Sequence, residues 1–285
     1  MLPVKNHSKT TLSFEVYPPK HDEEFPSSYR ILDSLSKLNP DFISVTYGAG
    51  GSRSKKTVEI ASYIQNQLRI TALAHMTCVG NKKEDILKVT ADLRSQGISH
   101  ILALRGDRPK DMSDEQYESR EFAFANDMIA FLREKTDFHI AAACYPEKHY
   151  ECFSMESDLL HLKKKQDAGA EFLITQLFFD NDCFYRFREQ AAKKGITIPI
   201  CVGIMPITSS NQIRTSVTLS GSSIPKPLAD LLAKYGDYPD QMREAGIEYA
   251  IRQILDLKQN GVDGIHLYVM NRPKMTAQIV TACGI

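Results

Sequence analysis

The sequence predicts a closed (β/α)8 barrel. Eight apolar runs of strand length recur along the chain, and helix-length amphipathic stretches separate them. Four of those stretches end at a glycine, the usual left-handed helix stop. Strand alternating with helix implies a parallel sheet under helical cover. Eight such units in about 250 residues match the size of a closed barrel. An open doubly wound sheet is the alternative. It would normally carry a glycine-rich dinucleotide fingerprint after its first strand, and here Pro18-Pro19 follows that strand.

The first run, 12–17, is stopped by the two prolines. The others are 41–46, 70–78, 98–105, 138–145, 171–178, 198–204 and 264–270. Helices are expected over 82–96 before Gly97, 156–168 before Gly169, 183–194 before Gly195 and 240–260 before Gly261. Residues 108–120 are the most polar stretch and read as a long surface loop after the fourth strand. Residues 208–234 are expected to hold one helix and a short extra one starting near Pro225 or Pro227. No repeat or interdomain linker interrupts 1–285, so a single domain is expected, with an extra helix or two near the C-terminus.

Bulk composition narrows the function classes. With 285 residues, 42% of them hydrophobic, the chain can bury one full core. Lys plus Arg and Asp plus Glu number 35 each, so no global attraction to nucleic acid or an anionic membrane is expected. No apolar run approaches the ~20 residues needed to span a bilayer. Residues 1–7 lack the apolar core of a signal peptide. The cysteines Cys78, Cys144, Cys152, Cys183, Cys201 and Cys283 form no C-x-x-C, and four sit in or beside apolar runs. They read as reduced structural thiols of a cytoplasmic protein, not as a zinc site or disulfide framework.

One carboxylate stands out. Glu15 lies inside the first apolar run. Strand neighbours alternate, so Phe14 and Val16 share one face while Ser13, Glu15 and Tyr17 share the other. If the Phe14/Val16 face packs on helices, Glu15 points to the other side of the sheet. Burying an ionised carboxylate costs several kcal/mol unless it is paired. Walled by apolar side chains, Glu15 would have a raised pKa; hydrogen-bonded to Arg or backbone amides, it would not.

Other polar residues collect at the C-terminal ends of the runs. They are Thr46-Tyr47, His75 with Thr77, Arg105-Gly106-Asp107, Tyr145-Pro146-Glu147 with His149, Thr175-Gln176 and Asn271-Arg272. In a barrel these ends converge on the rim that carries active sites. Singly, each has a plain structural reading: His75 as a satisfied core histidine, Gln176 as a loop cap, Arg105 and Asp107 as a local ion pair. Agreement across seven strand ends points to a functional rim. No G-x-S-x-G or H-E-x-x-H is present. Glu15 and Asp107 are too few carboxylates for a two-metal cluster, so no metal is expected. Gly48-Ala49-Gly50-Gly51-Ser52 reads either as a backbone phosphate cradle or as a tight turn capped by Ser52 or Ser54. Asp158, His161, Lys164 and Lys165, three or four apart, are expected to share a helix face, either solvated or anion-binding.

These residues bring a family into view. The chain resembles methylenetetrahydrofolate reductase over nearly its full length. The resemblance rests on Ser13-Phe14-Glu15-Val16-Tyr17-Pro18-Pro19, Ser44-Val45-Thr46-Tyr47-Gly48-Ala49-Gly50-Gly51, His75-Met76-Thr77-Cys78 and Leu104-Arg105-Gly106-Asp107. It continues through Tyr145-Pro146-Glu147-Lys148-His149, Asp158-Leu159-Leu160-His161, Ile174-Thr175-Gln176-Leu177-Phe178-Phe179-Asp180, Gly203-Ile204-Met205-Pro206-Ile207 and Asn271-Arg272. It covers the catalytic barrel alone, as in bacterial-type members.

The resemblance implies non-covalent FAD and reduction of 5,10-methylenetetrahydrofolate to 5-methyltetrahydrofolate by ping-pong hydride transfer from NAD(P)H. That reaction belongs to one-carbon metabolism and methionine biosynthesis. Glu15 would be the general acid: protonating N10 makes it a better leaving group as the substrate opens to its 5-iminium form. Asp107 would lie near flavin and pterin, tuning the flavin potential and accepting pterin hydrogen bonds. Gln176, Gln212 and Arg272 match folate-contacting positions, with Arg272 suited to the glutamate tail. Thr46, Tyr47, Ala49, His75, Arg105, Gly106, Asp107, Phe124, Ala125, Tyr145, His149, Asp158, His161, Lys164 and Lys165 match the flavin-binding set.

Three positions depart from the family pattern. Phe124 stands where a tyrosine is common, Val202 where a proline is common, and His161 where an asparagine is familiar. The resemblance leaves NADH, NADPH and a partner protein open as electron donor, and implies a homo-oligomer. Two other functions stay in view: a metal-assisted barrel lyase using Glu15, His75 and Asp107, and a flavoprotein subunit of a methyl-transfer complex.

Overall fold

A computed structural model of the chain describes Val4, residues 10–47 and residues 51–285, with residues 51–53 and Leu219 described by backbone alone. The expected runs form β1 (Thr11–Val16), β2 (Phe42–Val45), β3 (Thr71–Thr77), β4 (His100–Leu104), β5 (His139–Cys144), β6 (Phe172–Thr175), β7 (Ile200–Ile204) and β8 (Gly264–Tyr268). They pair in chain order into a closed barrel. All pairs are parallel, and β8 returns to β1.

Helices fill the crossovers. They are α1 (Phe25–Ser36), α2 (Gly51–Ser62), α3 (Lys83–Ser95), α4 (Asp114–Glu118), α5 (Ala125–Lys135), α6 (Met155–Asp167) and α7 (Asn181–Lys193). Three helices, α8 (Ser210–Ser220), α9 (Lys226–Tyr235) and α10 (Pro239–Gln259), separate β7 from β8, and α11 (Pro273–Cys283) ends the chain. The two extra helices are thus in place. Gly97, Gly169, Gly195 and Gly261 all take positive φ at the expected stops.

Two elements differ from the sequence reading. The polar stretch 108–120 contains α4, nucleated by a capping box: the Ser113 hydroxyl accepts the Gln116 amide and Gln116 Oε1 accepts the Ser113 amide. The sixth strand stops at Thr175 instead of running to 178. The Gln176 side chain accepts the Leu177 amide at 2.9 Å, taking the next backbone donor out of the ladder.

Strand alternation sorts the core. Phe14, Val16, Ile43, Ala74, Ile101 and Leu267 face outward and join the helices in one continuous cluster. Phe42, Leu73, Leu102, Ala141, Phe172 and Cys201 face inward and plug the barrel. Phe42 meets Phe172 edge-on, ring centres 5.8 Å apart. All six cysteines are unpaired, and Cys78, Cys144, Cys201 and Cys283 are buried. Among the described residues, no helix is long and apolar enough to cross a membrane.

Arg133 ties α5 to its neighbours. Its guanidinium donates to the Gly169 carbonyl (2.9 and 2.7 Å), to the Phe138 carbonyl (3.2 Å) and to Glu171. Glu171 also meets His139 Nδ1 at 2.9 Å. Burial pushes the Glu171 carboxyl up, but the Arg133 and His139 contacts outweigh it and hold the pKa below the ordinary value. A depressed carboxyl pKa stabilises the fold above the ordinary glutamate range, and that contribution fades as pH falls below it. Arg133→Ala should therefore lower stability by about 2–3 kcal/mol at neutral pH, because it strands a partly buried carboxylate and two carbonyls. Urea denaturation should show that gap narrowing at acid pH.

Candidate active site

Register assembles the site. On β1, Glu15 lies opposite Ser44 of β2 and Tyr268 of β8, while Ser13 lies opposite His266. Residues paired across a sheet share a face, so these side chains enter the barrel above the apolar plug. His75 Nε2 stands 3.4 Å from Glu15 Oε2, and His266 Nε2 stands 3.8 Å from the same oxygen. His266 is fully buried. Its Nδ1 is 2.7 Å from Ser13 Oγ and its Nε2 is 3.4 Å from Ser44 Oγ.

Glu15 is therefore not walled by apolar groups. Burial raises its pKa, but contact with the His266 imidazole and the fields of His75 and His266 outweigh that, leaving the carboxyl below its ordinary value. Glu15 thus lacks the raised pKa expected of an acid. The His75 pKa is lowered by burial. Tyr268 seals the far side. Its hydroxyl donates to the Thr175 carbonyl at 2.7 Å, and burial pushes its pKa well up. Gly203 makes room for that ring: a Cβ there would lie 2.4 Å from the Thr175 carbonyl and 2.7 Å from Tyr268 Cε2.

A cavity of about 410 Å³ opens over Glu15 at the C-terminal rim. Thr46, Tyr47, His75, Arg105, Gly106, Asp107, Tyr145, His149 and Gln176 all line it, as the sequence reading anticipated. Val79, Leu102, Leu104, Ala143 and Ile174 add apolar wall. Among the described residues, His75 Nε2 and Thr77 Oγ1 are buried in that wall without a hydrogen-bond partner, though His75 Nε2 keeps its contact with Glu15. Gly106 takes φ +81°, and a Cβ there would lie 2.8 Å from Thr77 Cβ. Only glycine lets the backbone pass this close to the wall.

Arg105 does not pair with Asp107. Both terminal nitrogens engage Glu151, one at 2.9 Å, and this fork draws the Glu151 pKa down to about 2. Asp107 remains exposed at the rim.

The α6 residues divide. Asp158 and Lys165 turn inward, whereas His161 and Lys164 are exposed, so the expected shared face is not formed. The reason is helical phase: Asp158 and Lys165 are two turns apart, and the others sit off that line. Lys165 Nζ donates to the Ala143 carbonyl at 2.8 Å and lies 5.6 Å over the Tyr145 ring. Burial raises the Asp158 pKa and lowers that of Lys165, while each pulls the other back toward its charged form. His161 stacks on Phe124 at 6.0 Å, so two departures from the family pattern touch each other. Phe124 is the N-cap of α5, and Ala125 opens that helix.

Gln212 and Arg272 stand apart from the cavity wall. Gln212 Oε1 accepts both the Thr208 amide and its hydroxyl at 2.9 Å, and Arg272 donates to the same hydroxyl at 2.5 Å. They form one rim cluster between β7 and β8. Ala49 and the start of the glycine-rich turn lie outside the described residues. Of the lyase set, Glu15 and His75 meet and Asp107 lines the same cavity at its exposed rim, and among the described residues no three metal-ligating side chains gather.

The sequence reading missed His266, Tyr268, Ser44 and Glu151. A signal for two of them existed. His266 and Tyr268 alternate in the eighth run with the same period as Ser13 and Glu15 in the first.

Comparison with known proteins agrees with this geometry. The family model for methylenetetrahydrofolate reductase matches residues 3–284. The 5,10-methylenetetrahydrofolate reductase of Escherichia coli (strain K12) is 34% identical over 274 residues, covering 96% of this chain and 90% of the relative. Arabidopsis thaliana methylenetetrahydrofolate reductase (NADH) 1 is 34% identical over 293 residues, covering 99% of this chain and 50% of that one. A solved structure from Clostridium thermocellum, described as binding two copies of 5-methyl-5,6,7,8-tetrahydrofolic acid, shares the fold with TM-score 0.66 at 15% identity, covering 98% of this chain and 95% of that one. Dihydropteroate synthase from Xanthomonas albilineans does so with TM-score 0.54 at 13% identity, covering 97% and 92%. The chain belongs to the methylenetetrahydrofolate reductase family.

Proposed function

We propose that this chain reduces 5,10-methylenetetrahydrofolate to 5-methyltetrahydrofolate with hydride from NAD(P)H, using non-covalent FAD and Glu15 as general acid. The observation that carries the reading is Glu15 at the floor of a rim cavity. That cavity has apolar walls, and the buried Thr77 Oγ1 has no hydrogen-bond partner among the described residues. A flat ring with polar edges suits such a wall, so the residues present fit a flavin.

Thr46, Tyr47, His75, Gly106, Tyr145 and His149 would hold the flavin ring from the lining, and Arg105 would hold it once Glu151 yields the guanidinium. Asp158, Lys165 and the Phe124–His161 shelf extend the surface for the rest of the cofactor. FAD, when bound, carries hydride from the nicotinamide to the folate. The plant relatives are named as NADH enzymes, which makes NADH the donor to test first. Six unpaired cysteines suit a reducing cytoplasm.

Glu15 delivers a proton to N10 of the folate. Burial raises its pKa, but the His266 contact and the fields of His75 and His266 hold it below the ordinary value. Filling the cavity expels water and strengthens the burial that already opposes ionisation, so proton uptake accompanies binding. Gln176 lines the same cavity and Asp107 its rim, placed for the pterin, while Arg272 stands outside for the glutamate tail.

Purified protein should bind FAD and show a flavin absorption spectrum. A colourless preparation that cannot be reconstituted with FAD overturns the reading. Bound flavin that neither NADH nor NADPH reduces would point to a protein donor. Glu15→Gln should leave flavin reduction by NADH nearly intact and slow folate reduction about 10²–10⁴-fold. Stopped-flow of the two half-reactions separates these outcomes, and equal loss in both with FAD retained would remove Glu15 from the acid role. Because the folate step needs protonated Glu15, its rate should fall as pH rises, while the NADH step should lack that limb.

A further inference from the structure

We infer that Thr208 is the positioning residue for Arg272: its hydroxyl holds one nitrogen of the guanidinium and leaves the other two to fork a carboxylate of the folate's glutamate tail. The inference deepens the folate reading above and rests on it.

Packing fixes the backbone first. Thr208 lies in the loop after β7 and Arg272 in the loop after β8, and those two strands are paired. Their C-terminal loops therefore meet on the same rim. Ile207 is buried with Met205, Ile213, Leu228 and Met242. Gly246 of α10 lies against it so closely that a Cβ there would stand 1.6 Å from the Ile207 carbonyl oxygen. Only glycine lets the helix approach the loop this way.

The side chains then fix one another's directions. The Thr208 amide can only donate, and Gln212 Oε1 accepts it at 2.9 Å. The Pro206 carbonyl can only accept, and Gln212 Nε2 donates to it at 3.0 Å. Both ends of the carboxamide are thereby assigned, and it cannot flip. The Thr208 hydroxyl lies 2.9 Å from Oε1 and is the donor in that pair. A guanidinium has no acceptor, so Arg272 Nη1, at 2.5 Å, donates to the same hydroxyl oxygen. The hydroxyl thus gives its one proton to Gln212 and turns a lone pair to Arg272. Thr208 is 7% exposed, which shields both bonds from water.

Arg272 itself is exposed, and among the described residues its Nε and Nη2 have no partner. Those two nitrogens form the side-on edge that pairs bidentately with a carboxylate. A long surface side chain loses rotamer freedom when it binds, and a guanidinium already held at Nη1 loses less. Thr208 acts on the folate without touching it, and through the tail alone.

The test compares two ligands, 5-methyltetrahydrofolate and 5-methyltetrahydropteroate, which lacks the glutamate. Binding to the dithionite-reduced, FAD-loaded full chain is measured by anaerobic calorimetry. Reduced flavin takes no hydride from either ligand, so binding is read without turnover. Thr208→Val keeps the branched shape and removes the hydroxyl, and Thr208→Ser returns it. Thr208→Val should weaken the folate about 5- to 10-fold and leave the pteroate within about 2-fold. Thr208→Ser should recover most of the loss. Arg272→Ala should weaken the folate at least as much, and adding Thr208→Val to it should cost nothing further.

A merely structural role would weaken both ligands alike. Equal loss for both, no loss in folded Thr208→Val, or losses that add in the double variant each overturn the inference. If Thr208→Val does not fold, Thr208→Ala decides by the same comparison. A parent chain that binds neither ligand overturns the folate reading and this inference with it. A parent that binds both equally tightly overturns the inference alone, because the tail is then not held.

Discussion

Pairing of β1 with β8 is the constraint on which the site depends. Five residue pairs, Thr11 with Gly264 through Glu15 with Tyr268, close the sheet into a barrel. Were it open, β1 would be an edge strand and its Ser13/Glu15 face would meet water or helices. Closed, that face looks inward at β2, β3 and β8. Ser13 and His266, 253 residues apart, then come within 2.7 Å. The apolar plug of Phe42, Leu73, Leu102 and Phe172 fills the barrel below the polar ring.

The same closure sets the electrostatics. Burial alone would drive Glu15 toward its neutral form, but the barrel also delivers two imidazoles to one of its oxygens. The second effect wins. Arg105 is restrained in a similar manner, its fork held by Glu151.

The rim residues were legible in the sequence because strand ends announce themselves. Arg105-Gly106-Asp107 and Thr46-Tyr47 each stop an apolar run, and barrel geometry gathers such stops on one face. Helical phase on α6 was misjudged because three- and four-residue spacing shows neighbours on a surface but not where the inward line falls. Asp158 and Lys165 lie on that line, and His161 and Lys164 do not. Gln212 and Arg272 match folate-contacting positions by resemblance, and their side chains meet at Thr208. Which hydroxyl an amide captures is a matter of loop path, and no spacing rule encodes it.

What the sequence determined by itself is the fold class, the eight strands, the helix stops and the inward direction of Glu15. These follow from period-two alternation, helix periodicity and glycine placement, all of which act over a few residues. What only the tertiary structure decided is the company Glu15 keeps. His75 and His266 reach it from two different strands, and a carboxyl's protonation depends on charges and donors within a few ångströms of space, whatever their separation along the chain.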